Sequence, residues 1–334
     1  MSKLTEIPEW DHRDGGLPAF ARARREAASG LMDAVLHGLG PAGTALRPLL
    51  PLGDRISARR LAAMADPYRD EILALPALLG RPGPAAFSLS YEFGCTARVF
   101  ETGGAPQLFR VLDWPFHGLG ARIEVVHLSG PAGDWVTATW PGVMGALHGA
   151  APSRFAIALN QAPERQTGFG RIRFGRAADW LTSKHRFLNQ TGLPPQHLLR
   201  QVFEQAPDYR TALQMLTETP VAVPVIYTLA GTRPGEACVI ERLETAATKP
   251  SEPIATNHFT TTLGAGRWRS RGHDSPGRHR AACALATAPP VDRLQPPILN
   301  PLTRLALTLD ATGHLSVAGY EGATRVTQPR HAAA

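Results

Sequence analysis

Cys95 is the residue of this chain whose surroundings most favour chemistry. It stands at the start of a predicted hairpin, Thr96–Thr102 paired with Gln107–Asp113 about a turn that contains two glycines. Symmetric pairing about that turn places the thiol opposite the stretch that holds Arg110 and Asp113. A cation near a thiol favours the nucleophilic thiolate, and a carboxylate can orient the reacting group. These residue types therefore predict a cysteine nucleophile at the open end of a sheet.

Other interpretations of the same residues stay open at this point. A free cysteine is among the most often buried residue types, and an arginine and an aspartate near a strand end often form only a surface pair. A second enzyme hypothesis uses Cys95 as nucleophile in the intact chain, with His148 or His258 as the base that removes the thiol proton. A metal hydrolase is a third, but His273, Asp274 and His279 lack a helical ligand pair and are typical of a charged loop.

Composition limits the classes of function. The chain has 334 residues with 43% hydrophobic content, enough for one large domain or two smaller ones, and we favour one catalytic domain with a helical leader. The net charge is +7, but the basic residues are mostly dispersed arginines, so we expect no nucleic-acid partner. A basic face that meets anionic lipid is compatible with this charge, and peripheral membrane contact is therefore allowed.

The three cysteines imply no disulfide framework. The N-terminal segment lacks the apolar core of a secretion signal, and no apolar run is long enough to span a bilayer. We therefore expect a cytoplasmic protein that needs neither a metal nor a cofactor, with an oligomeric state that the sequence leaves open.

Hydrophobic spacing and turn residues predict an α+β protein in which blocks of helices and strands alternate. The predicted helices are Ala19–Leu36, Ser57–Leu79 with Ser57 as its cap, Ala177–Phe187, Gln196–Leu216 and Arg278–Thr287. The predicted strands lie between Ala86 and Gln161, then at Pro224–Ala230, Ala237–Arg242 and Ile254–Phe259. The tail predicts a last hairpin over Arg304–Val317, and Ala286–Pro301 is Pro-rich and predicts a surface loop.

Five groups of segments occur in an order that is more specific than any one motif. They are Tyr91–Thr96, Arg110–Trp114, Gly145–Gly149 with Phe155–Gln161, Tyr227–Thr232 with Cys238–Arg242, and Ala255–Phe259 followed by His273–Arg278. Together they resemble the N-terminal-nucleophile cysteine hydrolases of the acid ceramidase, N-acylethanolamine acid amidase and choloylglycine hydrolase type. The resemblance implies a four-layer αββα sandwich and hydrolysis of a small-molecule N-acyl amide, with a lipid-like acyl group expected.

The resemblance also implies roles for individual residues. The chain would cut itself between Gly94 and Cys95, giving a helical leader of residues 1–94 and a catalytic domain of residues 95–334. The free α-amine of Cys95 would then be the base, because an α-amine titrates close to neutral pH. The implied catalytic residues are Cys95, Arg110, Asp113, Asn160, Asn257 and Arg278.

In that scheme Asp113 orients the amine, and Arg110 stabilises the thiolate or the substrate carbonyl. Asn257, with Asn160 as its partner, donates to the oxyanion, and Arg278 holds the aspartate or the developing charge. Arg271 and Arg280 compete with Arg278 for its place. Acyl transfer and a non-catalytic binding protein remain alternatives to hydrolysis.

Overall fold

The computed structural model describes residues 4–89, 93–101, 104–166, 179, 182, 189–263 and 266–333. Its helices are α1 Gly16–Ala23, α2 Arg25–Gly38, α3 Pro41–Leu46, α4 Leu50–Ala63, α5 Arg69–Leu79, α6 Pro84–Ser88, α7 Pro195–Gln205, α8 Tyr209–Glu218 and α9 Ser275–Ala284. Short 3-10 turns cover Arg47–Leu49 and Gly120–Arg122.

The strands run from near the start of the chain to its end. They are β1 Glu9–Asp11, β2 Gly94–Phe100, β3 Gln107–Asp113, β4 Glu124–Gly130, β5 Gly133–Thr139, β6 His148–Ala151, β7 Phe155–Gln161, β8 Glu164–Arg165, β9 Val225–Ala230, β10 Ala237–Arg242, β11 Ala247–Thr248, β12 Ile254–Ala255, β13 Trp268–Arg269, β14 Thr303–Asp310, β15 His314–Glu321, β16 Thr324–Arg325 and β17 Arg330–Ala333.

Two large sheets pack face to face. The first has the strand order β1-β4-β5-β6-β7-β9-β10-β11, and the second has the order β12-β2-β3-β14-β15-β16, with β17 also paired to β15. Strands β2, β3 and β14 of the second sheet lie against β6, β7 and β9 of the first. Apolar side chains from both inner faces, such as Leu112, Leu307 and Ile157, share one buried core.

Helices cover both outer faces. Helices α7 and α8 pack on the first sheet, and α9 packs on β2 and β12 of the second. Ala282 of α9 joins Phe109, Val111 and Ala306 in a separate apolar cluster on that outer side. The α+β class and the four-layer αββα order predicted from the sequence are therefore confirmed, and the predicted hairpin of β2 and β3 forms with Cys95 opposite Leu112.

The leader is helical, but its details differ from the prediction. The first predicted helix breaks at Arg24, and Ser57 lies inside α4 rather than capping a helix. The stretch before Cys95 contains α6, Pro84–Ser88, where the sequence suggested a strand, because proline fits the first turn of a helix. The leader supplies β1 instead, which pairs in parallel with β4 at the edge of the first sheet.

Further boundaries were also wrong. The helix predicted over Gln196–Leu216 is two helices, because Pro207 forces Ala206 into an extended conformation and Asp208 starts α8 by accepting from Thr211 N at 2.7 Å. The strand predicted over Ile254–Phe259 ends at Ala255. The predicted helix Ala177–Phe187 lies almost entirely outside the described residues.

Polar contacts attach the leader to the rest of the chain. His197 Nδ1 of α7 lies 2.5 Å from Asp66 Oδ2, and both side chains are fully buried. Arg200 contacts Glu71 Oε2 at 2.7 Å and lies over the ring of Tyr68. These contacts join the helices before Gly94 to α7.

Candidate active site

The thiol of Cys95 lies on the inner face of the β2–β3 hairpin, between the two sheets. Residues alternate between the faces of a strand, so Cys95 and Leu112 face the inner core, whereas Val111 faces α9. Arg110 also reaches the inner face, and its Nη2 lies 3.1 Å from Cys95 Sγ. Its Nη1 donates to the carbonyl of Leu147, which fixes the guanidinium between the sheets.

Burial and charge act in opposite directions on this pair. Cys95 and Arg110 are both fully buried. Burial raises the pKa of the Cys95 thiol, and the guanidinium of Arg110 opposes that rise because it stabilises the thiolate. Burial likewise lowers the pKa of Arg110. Burial thus favours the neutral thiol of Cys95, and the adjacent guanidinium favours its thiolate.

Asp113 lies on the opposite face of the hairpin from the thiol. It pairs with Gly94, and a Cβ placed on Gly94 would lie 3.3 Å from the Cβ of Asp113. The carboxylate therefore lies beside the Gly94–Cys95 peptide, and the sequence did not predict this division between two faces. Burial raises the pKa of Asp113, and Arg278 is the strongest influence in the other direction.

Asn257 binds the main chain of Cys95. Its Oδ1 accepts from Cys95 N at 2.7 Å and from Arg278 Nη2 at 2.9 Å, while its Nδ2 donates to the carbonyl of Gln161 at 2.8 Å. Two donors on one atom fix the orientation of this amide. Ser275 Oγ accepts from Asn257 N at 2.9 Å and so joins this loop to the start of α9.

Arg278 is the arginine that reaches the site. It lies in the second turn of α9, since that helix begins at Ser275 rather than at Arg278 as the sequence suggested. Its Nη1 donates to the carbonyl of Cys95 and to Thr96 Oγ1, and lies 3.7 Å from Asp113 Oδ2. Arg271 contacts Glu164 instead, and Arg280 is exposed.

Asn160 is near the site but is engaged elsewhere. Its Nδ2 donates to the carbonyls of Ala255 and Thr256 at 3.1 and 3.3 Å, which ties β7 to the residues just before Asn257. Its buried Oδ1 has no partner among the described residues. This geometry lets Asn160 position the neighbouring loop, and its amide would have to leave these carbonyls to serve an oxyanion.

Two further residues, which the sequence did not predict, contact Asp113. Asn300 Nδ2 donates to Asp113 Oδ2 at 2.9 Å, and Thr303 Oγ1 donates to Asp113 Oδ1 at 3.0 Å. Asn300 belongs to the Pro-rich stretch that predicts a surface loop, yet both residues are buried. The only available signal was a polar pair just before a predicted strand, because the pairing of β14 with β3 is a long-range contact.

Gly272 was also missed. It has a φ of +68°, and a Cβ at this position would lie 3.0 Å from the Cα of Gly94. Two glycines thus let the loop before α9 approach the main chain on the N-terminal side of Cys95, where a side chain on either residue would separate them.

The histidines proposed as alternative bases lie in other environments. His148 is fully buried, and burial together with Arg110 holds its pKa well below the ordinary value, which makes it a weak base near neutral pH. His258 Nδ1 lies 2.8 Å from Ser275 Oγ, and its ring contacts His279. In the loop considered for a metal, Asp274 caps α9 by accepting from Gly277 N at 3.0 Å.

Comparisons with known proteins give relatives of one kind, although no family model matches the sequence. The chain is 25% identical over 224 residues to the N-acylethanolamine-hydrolyzing acid amidase of Cavia porcellus, covering 64% of this chain and 60% of that protein. It is 27% identical over 186 residues to the acid ceramidase of Mus musculus, covering 51% and 44%. The chain is similar to the acid amidase and acid ceramidase type. The predicted resemblance is confirmed.

The similarity covers only part of each relative. The chain spans about half the length of these curated relatives, 60% and 44% of the two proteins above. A solved structure of the Caenorhabditis elegans ortholog of the same acid amidase has a TM-score of 0.45 at 16% identity, covering 66% of this chain and 93% of that one. The fold assignment rests on the sheets and helices described above.

In this acid amidase-like chain, Arg278 is the contact whose removal we expect to cost most. Replacing it (Arg278→Met) leaves the Cys95 carbonyl, Thr96 Oγ1 and the Asp113 carboxylate without their shared donor. Loss of one partner from a buried ion pair costs about 3–5 kcal/mol, so we expect that decrease in the free energy of unfolding, measured by urea denaturation.

Arg280→Met on the same helix is the matched control, because Arg280 is exposed and should cost less than about 0.5 kcal/mol. Equal losses for the two variants would contradict the assignment of Arg278 to the site. Cys95→Ala serves as the background for both, which prevents any self-cleavage from complicating the transition.

Proposed function

We propose that this chain is an amide hydrolase that cuts itself between Gly94 and Cys95 and then hydrolyses N-acyl amines through a thioester on Cys95. The observation that carries the proposal is how the main chain of Cys95 is held. Its N–H donates to Asn257, its carbonyl accepts from Arg278, and its thiol contacts Arg110. Any buried main chain needs hydrogen-bond partners, but here they are side chains of two distant segments, and a guanidinium also contacts the thiol. Three polar side chains on one cysteine support a reactive role for it.

Self-cleavage would proceed by transfer of the Gly94 acyl group from nitrogen to sulfur. Cys95 Sγ attacks the carbonyl carbon of Gly94, the C–N bond breaks, and the thiol proton ends on the nitrogen that leaves. Water then hydrolyses the thioester, which gives a carboxylate on Gly94 and a free amine on Cys95. The products would be the leader, residues 1–94, and the catalytic part, residues 95–334.

Substrate turnover would repeat the same chemistry on another amide. The α-amine of Cys95 takes the thiol proton, and the sulfur attacks the substrate carbonyl. The amine product leaves with that proton, and water releases the acid from the thioester. Arg110 would stabilise the thiolate, and Asp113 would orient the amine from the other face of the hairpin. The amide of Asn257 would donate to the oxyanion once it leaves the Gln161 carbonyl.

Self-cleavage is tested by intact mass under denaturing conditions. We expect the wild-type chain to give two fragments that meet between Gly94 and Cys95, and Cys95→Ala to stay whole because it lacks the sulfur. Cys238→Ala is the matched control and should be cut like the wild type, since Cys238 lies in β10 against Tyr209. A wild-type chain that stays whole at both mildly acidic and neutral pH would contradict the proposal.

The reaction itself is tested with a long-chain N-acylethanolamine, a choice guided by the similarity to the acid amidase. We expect free fatty acid and ethanolamine, at a rate per processed chain that falls about 10²–10³-fold in Asn257→Ala, because an oxyanion donor is lost. Asn189→Ala, at an exposed position, should keep the wild-type rate.

Other outcomes of this assay separate the alternatives. Release of the acyl group only when a second amine is added would indicate an acyltransferase. Binding of the amide without turnover by a fully processed chain would indicate a binding protein that retains the fold.

We also propose that the leader contacts a membrane, where lipid-like amides reside. The exposed large apolar residues of the described chain lie together at 39–56: Leu39, Leu46, Leu49, Leu52 and Ile56. Exposed Arg47, Arg55 and Arg59 accompany them, so the surface combines apolar and basic side chains, as interfacial helices do.

Among the described residues no helix has both the length and the hydrophobicity to cross a bilayer. A cytoplasmic location stays a prediction.

Vesicle sedimentation tests this contact. We expect the chain to sediment with vesicles that contain phosphatidylserine, and Leu49→Glu/Leu52→Glu to reduce the bound fraction several-fold by placing charge where the acyl chains begin. Ala323→Glu/Gln328→Glu adds the same charge at exposed positions elsewhere and should bind nearly as well. Equal binding by both double variants would contradict a contact through residues 39–56.

A further inference from the structure

The turn that precedes β14 is built as a rigid support. Asn300 Oδ1 accepts from Leu302 N at 3.0 Å, Thr303 N donates to the Asn300 carbonyl at 3.0 Å, and Asn300 N donates to Thr303 Oγ1 at 3.1 Å. Each end of the turn therefore binds the other, through both main chain and side chain. Asn300 and Thr303 are also buried, so water does not compete for these groups.

This turn presents its two remaining donors to the two oxygens of one carboxylate. Asn300 Nδ2 donates to Asp113 Oδ2, and Thr303 Oγ1 donates to Asp113 Oδ1. Thr303 Oγ1 already accepts from Asn300 N, so its single proton is free for the carboxylate. Asn300 Nδ2 can only donate, and the Thr303 hydroxyl has its proton available for the other oxygen, so the arrangement fits an ionised Asp113.

The sheet places the turn at the scissile peptide. Thr303 pairs with Asp113, Asp113 pairs with Gly94, and a register shift between Thr303 and Leu305 marks an irregularity at this end of β14. Trp114 N donates to the Leu302 carbonyl at 2.7 Å, which holds the end of β3 against the turn. The support, the carboxylate and the scissile peptide thus follow one another across three strands.

We propose that Asn300 and Thr303 are positioning residues that hold Asp113 ionised and fixed beside the Gly94–Cys95 peptide, and that they set the lower pH limit of self-cleavage and turnover. The proposal rests on the proposed function, in which Asp113 acts as a carboxylate. It adds two residues to the machinery, neither of which touches the reacting atoms.

The sign of the pH effect follows from the surroundings of Asp113. Burial raises its pKa, and Arg278, Asn300, Thr303 and His273 each act to lower it. Arg110 and the Cys95 thiol, on the other face of the hairpin, and Arg304 on β14 are close enough to interact with it electrostatically. Loss of one neutral donor leaves the charges in place and lets the pKa rise further. The carboxylate is then protonated at a higher pH, and the acid limb of the rate profile moves up.

The first test compares rate–pH profiles of self-cleavage. Thr303→Val keeps the shape and the β-branch but removes the donor, and we expect its acid limb to move up by about one pH unit, the size expected for one hydrogen bond to a charged group. Asn300→Asp keeps the turn but replaces the donor with a second carboxylate, and should move the limb further in the same direction. Thr303→Ser keeps the hydroxyl donor and should show the wild-type rate–pH profile.

Thr308→Val is the matched control, because Thr308 lies in the same strand, five residues from Thr303, and pairs with Phe109 instead of Asp113. Its profile should equal that of the wild type. The proposal is overturned if Thr303→Val shows the wild-type acid limb, or if it lowers the rate by one factor at every pH.

The second test needs no activity. In the uncut Cys95→Ala background, thermal midpoints of the chain with and without Thr303→Val are compared from pH 7.5 down to about pH 4, the range in which a carboxyl with a raised pKa titrates. Loss of the contact between Thr303 Oγ1 and Asn300 N should lower the thermal midpoint by the same amount at every pH. The missing contact with the carboxylate gives a difference that we expect to shrink as Asp113 is protonated, because a neutral carboxyl accepts more weakly.

A difference in thermal midpoint that stays constant over that pH range would overturn the proposal that Asn300 and Thr303 hold Asp113 ionised. If the wild-type chain shows no self-cleavage at any pH, the proposed function fails, and the melting comparison still decides whether Asn300 and Thr303 hold a carboxylate. The two failures are therefore distinguishable.

Discussion

The hydrogen bonds to the main chain of Cys95 are the interactions on which the rest of the site depends. Asn257 holds the N–H from the loop after β12, and Arg278 holds the carbonyl from α9. Asn257 Oδ1 also accepts from Arg278, so the two supports fix each other. The main chain of Cys95 is thus held on both sides of its Cα, which limits its rotation, and one of the two supports is a side chain from a helix of the outer layer.

Because these groups are buried, leaving any of them without a partner would cost stability. Arg110, Asp113 and Arg278 are all fully buried, and an unpaired charge in such a place would destabilise the fold strongly. Asp113 contacts Asn300, Thr303 and Arg278, and Arg278 contacts oxygens of Cys95, Thr96 and Asn257. Arg110 contacts the thiol and a main-chain carbonyl, while its Nε has no partner among the described residues. A fold that accepts this many buried ionic groups in one place is organised around them.

Much of the site could be predicted from the sequence where its contacts are local along the chain, and little of it where the contacts are long-range. The hairpin of β2 and β3 is local, so its turn and strands predicted the proximity of Cys95 and Arg110. Asn257 and Arg278 came from resemblance, since no periodicity links residues more than 150 positions from Cys95. Asn300 and Thr303 were missed because their partner lies on a strand paired only in three dimensions. The strand predicted before Cys95 was wrong because a proline at the first turn favours a helix more than the apolar run favours a strand.

The two faces of the hairpin place groups with opposing effects on opposite sides of its main chain. Asp113 acts to raise the pKa of the Cys95 thiol, but Arg110, which contacts the thiol on its own face, acts more strongly to lower it. With Asp113 on the opposite face, the thiol side carries the guanidinium and the peptide side carries the carboxylate. The main chain of residues 94 and 95 lies between them, where the proposed self-cleavage would form an amine. The alternation of one strand pair thus places a guanidinium and a carboxylate on opposite sides of this main chain.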